Sequence, residues 1–153
     1  MKTLNIDTGV EEFSVNGRGV LRFNPGDPNL YHRFFALGRD LAALDGELEQ
    51  KLAALPGAEG DETRTAAALA LLAEYDGRIK GLLNGIFGPE NDFNTLLEGV
   101  NLAGVGANGK RVVQNLLEAL APLLEAGARR QAEALADAAV ADADAARAAR
   151  CSP

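Results

Sequence analysis

The amino-acid sequence predicts an α+β fold that is mainly α: a small N-terminal antiparallel β-hairpin or sheet packed on three to four helices, with a long Ala-rich helix at the C-terminus. Three observations lead there. Period-two alternation of apolar residues stops near residue 24 and gives way to three-and-four spacing. Ala and Leu dominate a 153-residue chain that has no Trp, one Met and 5% aromatics, a composition that costs little in a helix. Beyond Gly127 about half of the residues are alanine.

The strands come first. In "TLNID" Leu4 and Ile6 alternate with polar residues, "EFSVN" offers Phe13 and Val15, and "GVLRF" offers Leu21 and Phe23. Asn16-Gly17 between the last two is a hairpin signal, because both residue types tolerate positive φ. A sheet this small does not stand alone and must pack on helices. The first helix follows "RFNPGDP": Asp27 can cap free amides, and Pro28 suits the first helical position. Leu30, Phe34, Leu37, Leu41, Leu44, Leu48, Leu52 and Leu55 form its apolar stripe, and Pro56-Gly57 end it.

After the loop "PGAEGDE", Asp61 or Thr63 caps a second helix that runs to about Phe87, with Leu69, Leu72, Ile79, Leu83 and Ile86 as its stripe. Gly77, Gly81 and Gly85 stand four apart on one line, with Ala70 and Ala73 nearby. Each glycine costs a helix interior about 1 kcal/mol relative to alanine, so three need a reason. Close approach of a neighbouring element is one, and a groove for a partner helix is the other. "NDFNTLLEG" reads as a short helical piece and "NLAGVGANGK" as a glycine-rich loop. A helix is predicted from near Asn108, carrying Val112, Val113, Leu116, Leu117, Leu120, Leu123 and Leu124, with Pro122 expected to kink or divide it. Residues 1–127 are read as one hairpin-plus-helical domain. Residues 128–153 are read as an extension that projects or pairs with another subunit and frays at its end.

Composition excludes several function classes. A net charge of −7 leaves no concentrated basic surface for phosphate backbones, so no nucleic-acid partner is expected. No run of about 18 apolar residues is present, so no membrane span is expected, and the start lacks the apolar core of a signal peptide. One cysteine, Cys151, makes neither an intrachain disulfide nor a zinc cage and is read as a tail thiol in a reducing cytoplasm.

Gly104, Gly109 and Lys110 stand at P-loop spacing, and Gly104, Gly106 and Gly109 match a dinucleotide fingerprint, chemistry in which loop amides cradle phosphate. Arg111 replaces the Ser or Thr that would hold Mg²⁺, and no parallel-sheet pattern surrounds the loop, so a helix connection is the expectation. His32 has no convergent ligands and no activated partner. No catalytic residue, metal site or cofactor is assigned. Tyr31 and Phe35, i and i+4 neighbours offset from the core stripe, either cover the hairpin's Phe13 and Phe23 or form an exposed contact for a partner. With Gly77, Gly81 and Gly85 they are the candidate partner-binding residues.

The order of these features carries a resemblance. "VLRFNPGDPNLYHRFFAL", then "RIKGLLNGIFGPENDF", then "VVQNLLEALAPLLEA" resembles a family of small phage and prophage proteins from gut bacteria of the Firmicutes type, tail assembly chaperones. It spans residues 4–44 and 78–126. It implies a non-enzymatic, self-associating cytoplasmic protein that binds the tape-measure protein during tail assembly and is absent from the finished tail. A structural virion component, such as a head–tail adaptor or connector subunit, is the alternative.

Overall fold

The computed structural model describes residues 1–151. The element order is β1 (Glu11–Val15), β2 (Gly19–Phe23), α1 (Pro28–Ala53), α2 (Glu62–Phe87), α3 (Phe93–Leu96) and α4 (Val112–Cys151). It is the α+β, mainly helical arrangement expected, with β1 and β2 antiparallel and Phe13 opposite Leu21. Asn16 (φ 54°) and Gly17 (φ 72°) both lie in the left-handed region, the turn whose twist matches paired strands. "TLNID" forms no strand: residues 1–10 take no helix or strand, with Leu4 87% and Ile6 75% exposed. Alternation made the segment competent for a sheet, but no edge lies beside it in its own chain.

The stretch "NPGDP" converts hairpin into helix through four local devices. The Asn24 carboxamide oxygen accepts the Gly26 N–H at 2.8 Å, and its nitrogen donates to the Thr8 carbonyl at 2.9 Å. Asp27 caps α1 by accepting the Asn29 N–H at 2.9 Å, and Pro28 is the first helical residue. Asp61, not Thr63, caps α2.

One core draws on every element but β1, whose Phe13 and Val15 pack against it half-buried: Leu21 and Phe23 from β2, Leu30, Phe34, Leu37, Leu41 and Leu48 from α1, Tyr75, Ile79, Leu83 and Phe87 from α2, Phe93 and Leu96 from α3, Leu102 from the following loop, and Val113, Leu120 and Leu124 from α4. Helices α1 and α2 form its central pair. Leu69, expected in the α2 stripe, is instead 61% exposed, while Tyr75, which the stripe omits, is fully buried. The sheet is joined to the helices through Asn91, itself buried, which accepts the Arg22 N–H at 2.9 Å and donates to the Arg22 and Phe87 carbonyls.

The last helix departs furthest from expectation. It begins at Val112, not near Asn108, because residues 104–111 form a tight turn closed by a Val105–Arg111 bridge. Pro122 divides nothing: α4 is continuous over 40 residues, with Pro122 on an exposed face. The helix also runs unbroken through Gly127, the last residue of the expected domain. Gly127 is buried inside α4 where the helix crosses the Pro25-Gly26 turn, and a Cβ there would lie 2.0 Å from the Pro25 carbonyl oxygen. Beyond it residues 132–151 are exposed on all sides and rise about 30 Å. The expected fraying at Ser152 and Pro153 lies outside the described residues.

Candidate functional site

The three candidate glycines lie on the solvent face of α2. A Cβ added to Gly77, Gly81 or Gly85 would meet nothing within 4 Å. Close approach of a neighbouring element is therefore not their reason, and that reading is corrected. With exposed Ala66, Ala70 and Ala73 they make one smooth line of small residues along the helix. At its middle, Gly81 floors a shallow depression of about 440 Å³ bounded by Asp40, Ala43 and Leu44 of α1 and Arg78 and Leu82 of α2. Because their Cβ positions are open, Gly77→Ala, Gly81→Ala and Gly85→Ala should each stabilise the free protein by about 0.5–1 kcal/mol. Urea unfolding checks this, and a loss of stability would mean that this face is covered.

Tyr31 and Phe35 form the second candidate patch. Their ring centroids are 4.7 Å apart, Phe35 is 39% exposed, and exposed His32 sits edge-on to Tyr31. Neither ring stacks on the hairpin: Phe23 meets Phe13 at 4.7 Å and Phe87 at 5.4 Å. Inward-facing Phe34 joins that cluster through Phe87, and Phe35 meets only its edge, packing T-shaped on Phe34 at 5.2 Å while its own ring stays part-exposed. At about 100° per residue, Tyr31 and Phe35 share the side of α1 that carries Gly38, Ala42 and Asp45, whereas Asp40 and Ala43 beside Gly81 lie on the opposite side. The structure therefore does not unite the five candidate residues on one face.

Gly38, Ala42 and Asp45 lead instead to a cavity that sequence reasoning missed. About 310 Å³ opens between α1 and the start of α4, walled by Leu41, Leu48, Tyr75, Ile79, Val113 and Leu117. At its rim the Arg111 guanidinium holds Asp45 at 2.7 Å and donates to the Ala103 carbonyl. These partners are far apart in sequence, and nothing in their local pattern couples them. Behind the cavity, the Tyr75 hydroxyl donates to Glu47 at 2.6 Å and Arg78 donates to the same carboxylate oxygen at 2.7 Å. Those two donors, the tyrosine first, hold the Glu47 carboxyl below the usual carboxylate range. The arrangement clamps α1 to α2 and offers no nucleophile beside a base.

The loop with P-loop spacing spends its amides on itself. The Gly106 N–H binds the Lys110 carbonyl, the Gly109 N–H the Gly106 carbonyl, and the Lys110 N–H the Asn108 side chain. Asn101 accepts from Ala103 and Gly104, and the Lys110 ammonium reaches Glu118 at 3.2 Å. A phosphate cradle needs these donors free and converging. Among the described residues, no three His, Cys, Asp or Glu side chains converge as a metal site would require, and no helix is long and apolar enough to cross a membrane. Cys151 is exposed at the end of α4.

No protein-family model, curated protein or solved structure matches the chain.

Proposed function

We propose that this protein is a non-enzymatic, cytoplasmic assembly factor that binds a long helical partner. In the form its sequence resemblance implies, it is a phage tail assembly chaperone for the tape-measure protein. The observation that supports the reading is the open face of α2. Three glycines together cost that helix roughly 2–3 kcal/mol of propensity, yet their positions meet no other part of the chain. Stability given up without a return in the fold points to a constraint from outside it. A smooth small-residue face lets a second helix approach closely, and many weak copies along a long partner give adequate avidity.

The test uses purified full-length chain with soluble helical segments of a phage tape-measure protein from the same source genome. Gly81→Leu should weaken binding about ten-fold or more, by placing a bulky side chain at the point of closest approach. The same substitution should leave the thermal midpoint of the free chain unchanged or higher. Equal binding by both proteins removes the α2 face from the proposal. Failure of the wild type to bind or solubilise any segment removes the chaperone reading. Recovery of the chain in mature virions would favour the adaptor alternative.

A further inference from the structure

We infer that residues 3–7 of one copy add as a third strand to the free edge of β1 in a second copy. The first observation is an unused strand-forming segment. Residues 2–7 take no helix, strand or turn in their own chain, alternate apolar with polar side chains, and, among the described residues, make no backbone–backbone hydrogen bond. Their apolar members Leu4 and Ile6 are both at least three-quarters exposed.

The second observation is an unused edge. Arg22 turns its N–H and C=O away from β1, and Asn91 binds both, so the outer edge of β2 is blocked at Arg22. By the register, Glu12 faces Arg22 and Ser14 faces Val20, so Glu12 and Ser14 turn their own N–H and C=O outward on the β1 side. Among the described residues nothing binds those groups. An unpaired edge of this kind is a template for another strand.

Arm and edge match each other. Run antiparallel with Asn5 opposite Ser14, the arm sets Ile6 beside half-buried Phe13 and Leu4 beside half-buried Val15, on the face that already packs toward the core. Polar Asn5 and Ser14 then share the solvent face. Asp7 falls opposite Glu12, whose charge Arg22 already answers at 3.8 Å.

The arm does not reach this edge in its own chain. Its Thr8 carbonyl is held by Asn24, and Thr8 and Val10 line a depression with Phe87, Pro89 and Asn91, on the β2 side of the hairpin. The arm therefore leaves the molecule away from the edge it complements. Each copy carries one donor strand and one acceptor edge, so a second copy satisfies both.

The experiment mixes two full-length chains, each with Cys151→Ser, one bearing Asn5→Cys and the other Ser14→Cys. Paired positions across antiparallel strands lie within disulfide reach. Under mild oxidation, cross-linking should be about ten-fold or more faster than for Asn5→Cys mixed with Glu59→Cys, an exposed loop position. Adding Ile6→Asp to the first chain should abolish the difference. Measured alone, the full-length chain with Ile6→Asp should have the mass of a monomer by light scattering, with its helical circular dichroism intact. Three results overturn the inference: no rate advantage over the control pair, a cross-link that forms only within one chain carrying both cysteines, or a wild type that is monomeric at every concentration. None of these outcomes depends on the tape-measure reading.

Discussion

Gly127→Ala should destabilise the protein by about 3 kcal/mol, the upper end of what overpacking costs. The added methyl would stand 2.0 Å from the Pro25 carbonyl oxygen and 2.3 Å from its carbon. Both are backbone atoms that cannot rotate aside. Relief requires α4 to move away from the Pro25-Gly26 turn by roughly 1 Å or more, which loosens Leu120 and Leu124 in the core. The gain in helix propensity, about 1 kcal/mol, offsets only part of this. For a chain of this size the thermal midpoint should fall by roughly 6–12 °C. Gly81→Ala is the matched control, since the same change on the open face of α2 should raise stability. Opposite signs for one chemical substitution would establish how α4 sits. A rise for Gly127→Ala would mean that α4 does not cross the turn.

The second large effect is expected at Lys80, which is 6% exposed although charged. Its ammonium binds Asp76 at 2.9 Å and the Asn94 side-chain oxygen at 2.7 Å. Asp76 uses its other oxygen to accept the Leu102 N–H at 2.7 Å. One ion pair thus ties α2 to α3 and to the loop that leads to α4. Lys80→Met keeps the packing of the stem but leaves a shielded carboxylate without its cation, and should cost about 3–5 kcal/mol in urea unfolding. Adding Asp76→Asn removes the stranded charge and keeps an acceptor for the Leu102 amide. The double variant should recover most of the loss, because the penalty comes from the unpaired charge and not from the missing bond. A double variant as unstable as Lys80→Met would show that the pair itself, and not its desolvation, carries the stability.

How much of this was legible beforehand can be followed residue by residue. Asn16-Gly17 gave the hairpin, Asp27 and Asp61 the starts of the two long helices, and the leucine spacing of α1 its buried face. Each is a local signal, since turn chemistry, capping and periodicity act over a few residues. The candidate site was read less well. Gly77, Gly81 and Gly85 are recognisable in the sequence as unusual, but their open surroundings are not, and the spacing of Tyr31 and Phe35 leaves open whether they cover the hairpin or face a partner, where the structure pairs their rings with each other and not with Phe13 or Phe23. The Asp45–Arg111 rim and the cavity behind it left no trace in the sequence.

Fold class, the order and type of most elements, and the excess of acidic over basic residues can be read from the chain alone, because they follow from propensity, periodicity and composition. Which glycine is squeezed and which is free, which lysine is buried, and which alternating segment goes unpaired depend on how distant segments pack. A glycine reads the same in a helix whether a carbonyl stands 2.0 Å from its missing Cβ or nothing stands there at all. The difference lies in what another segment, distant along the chain, brings alongside it.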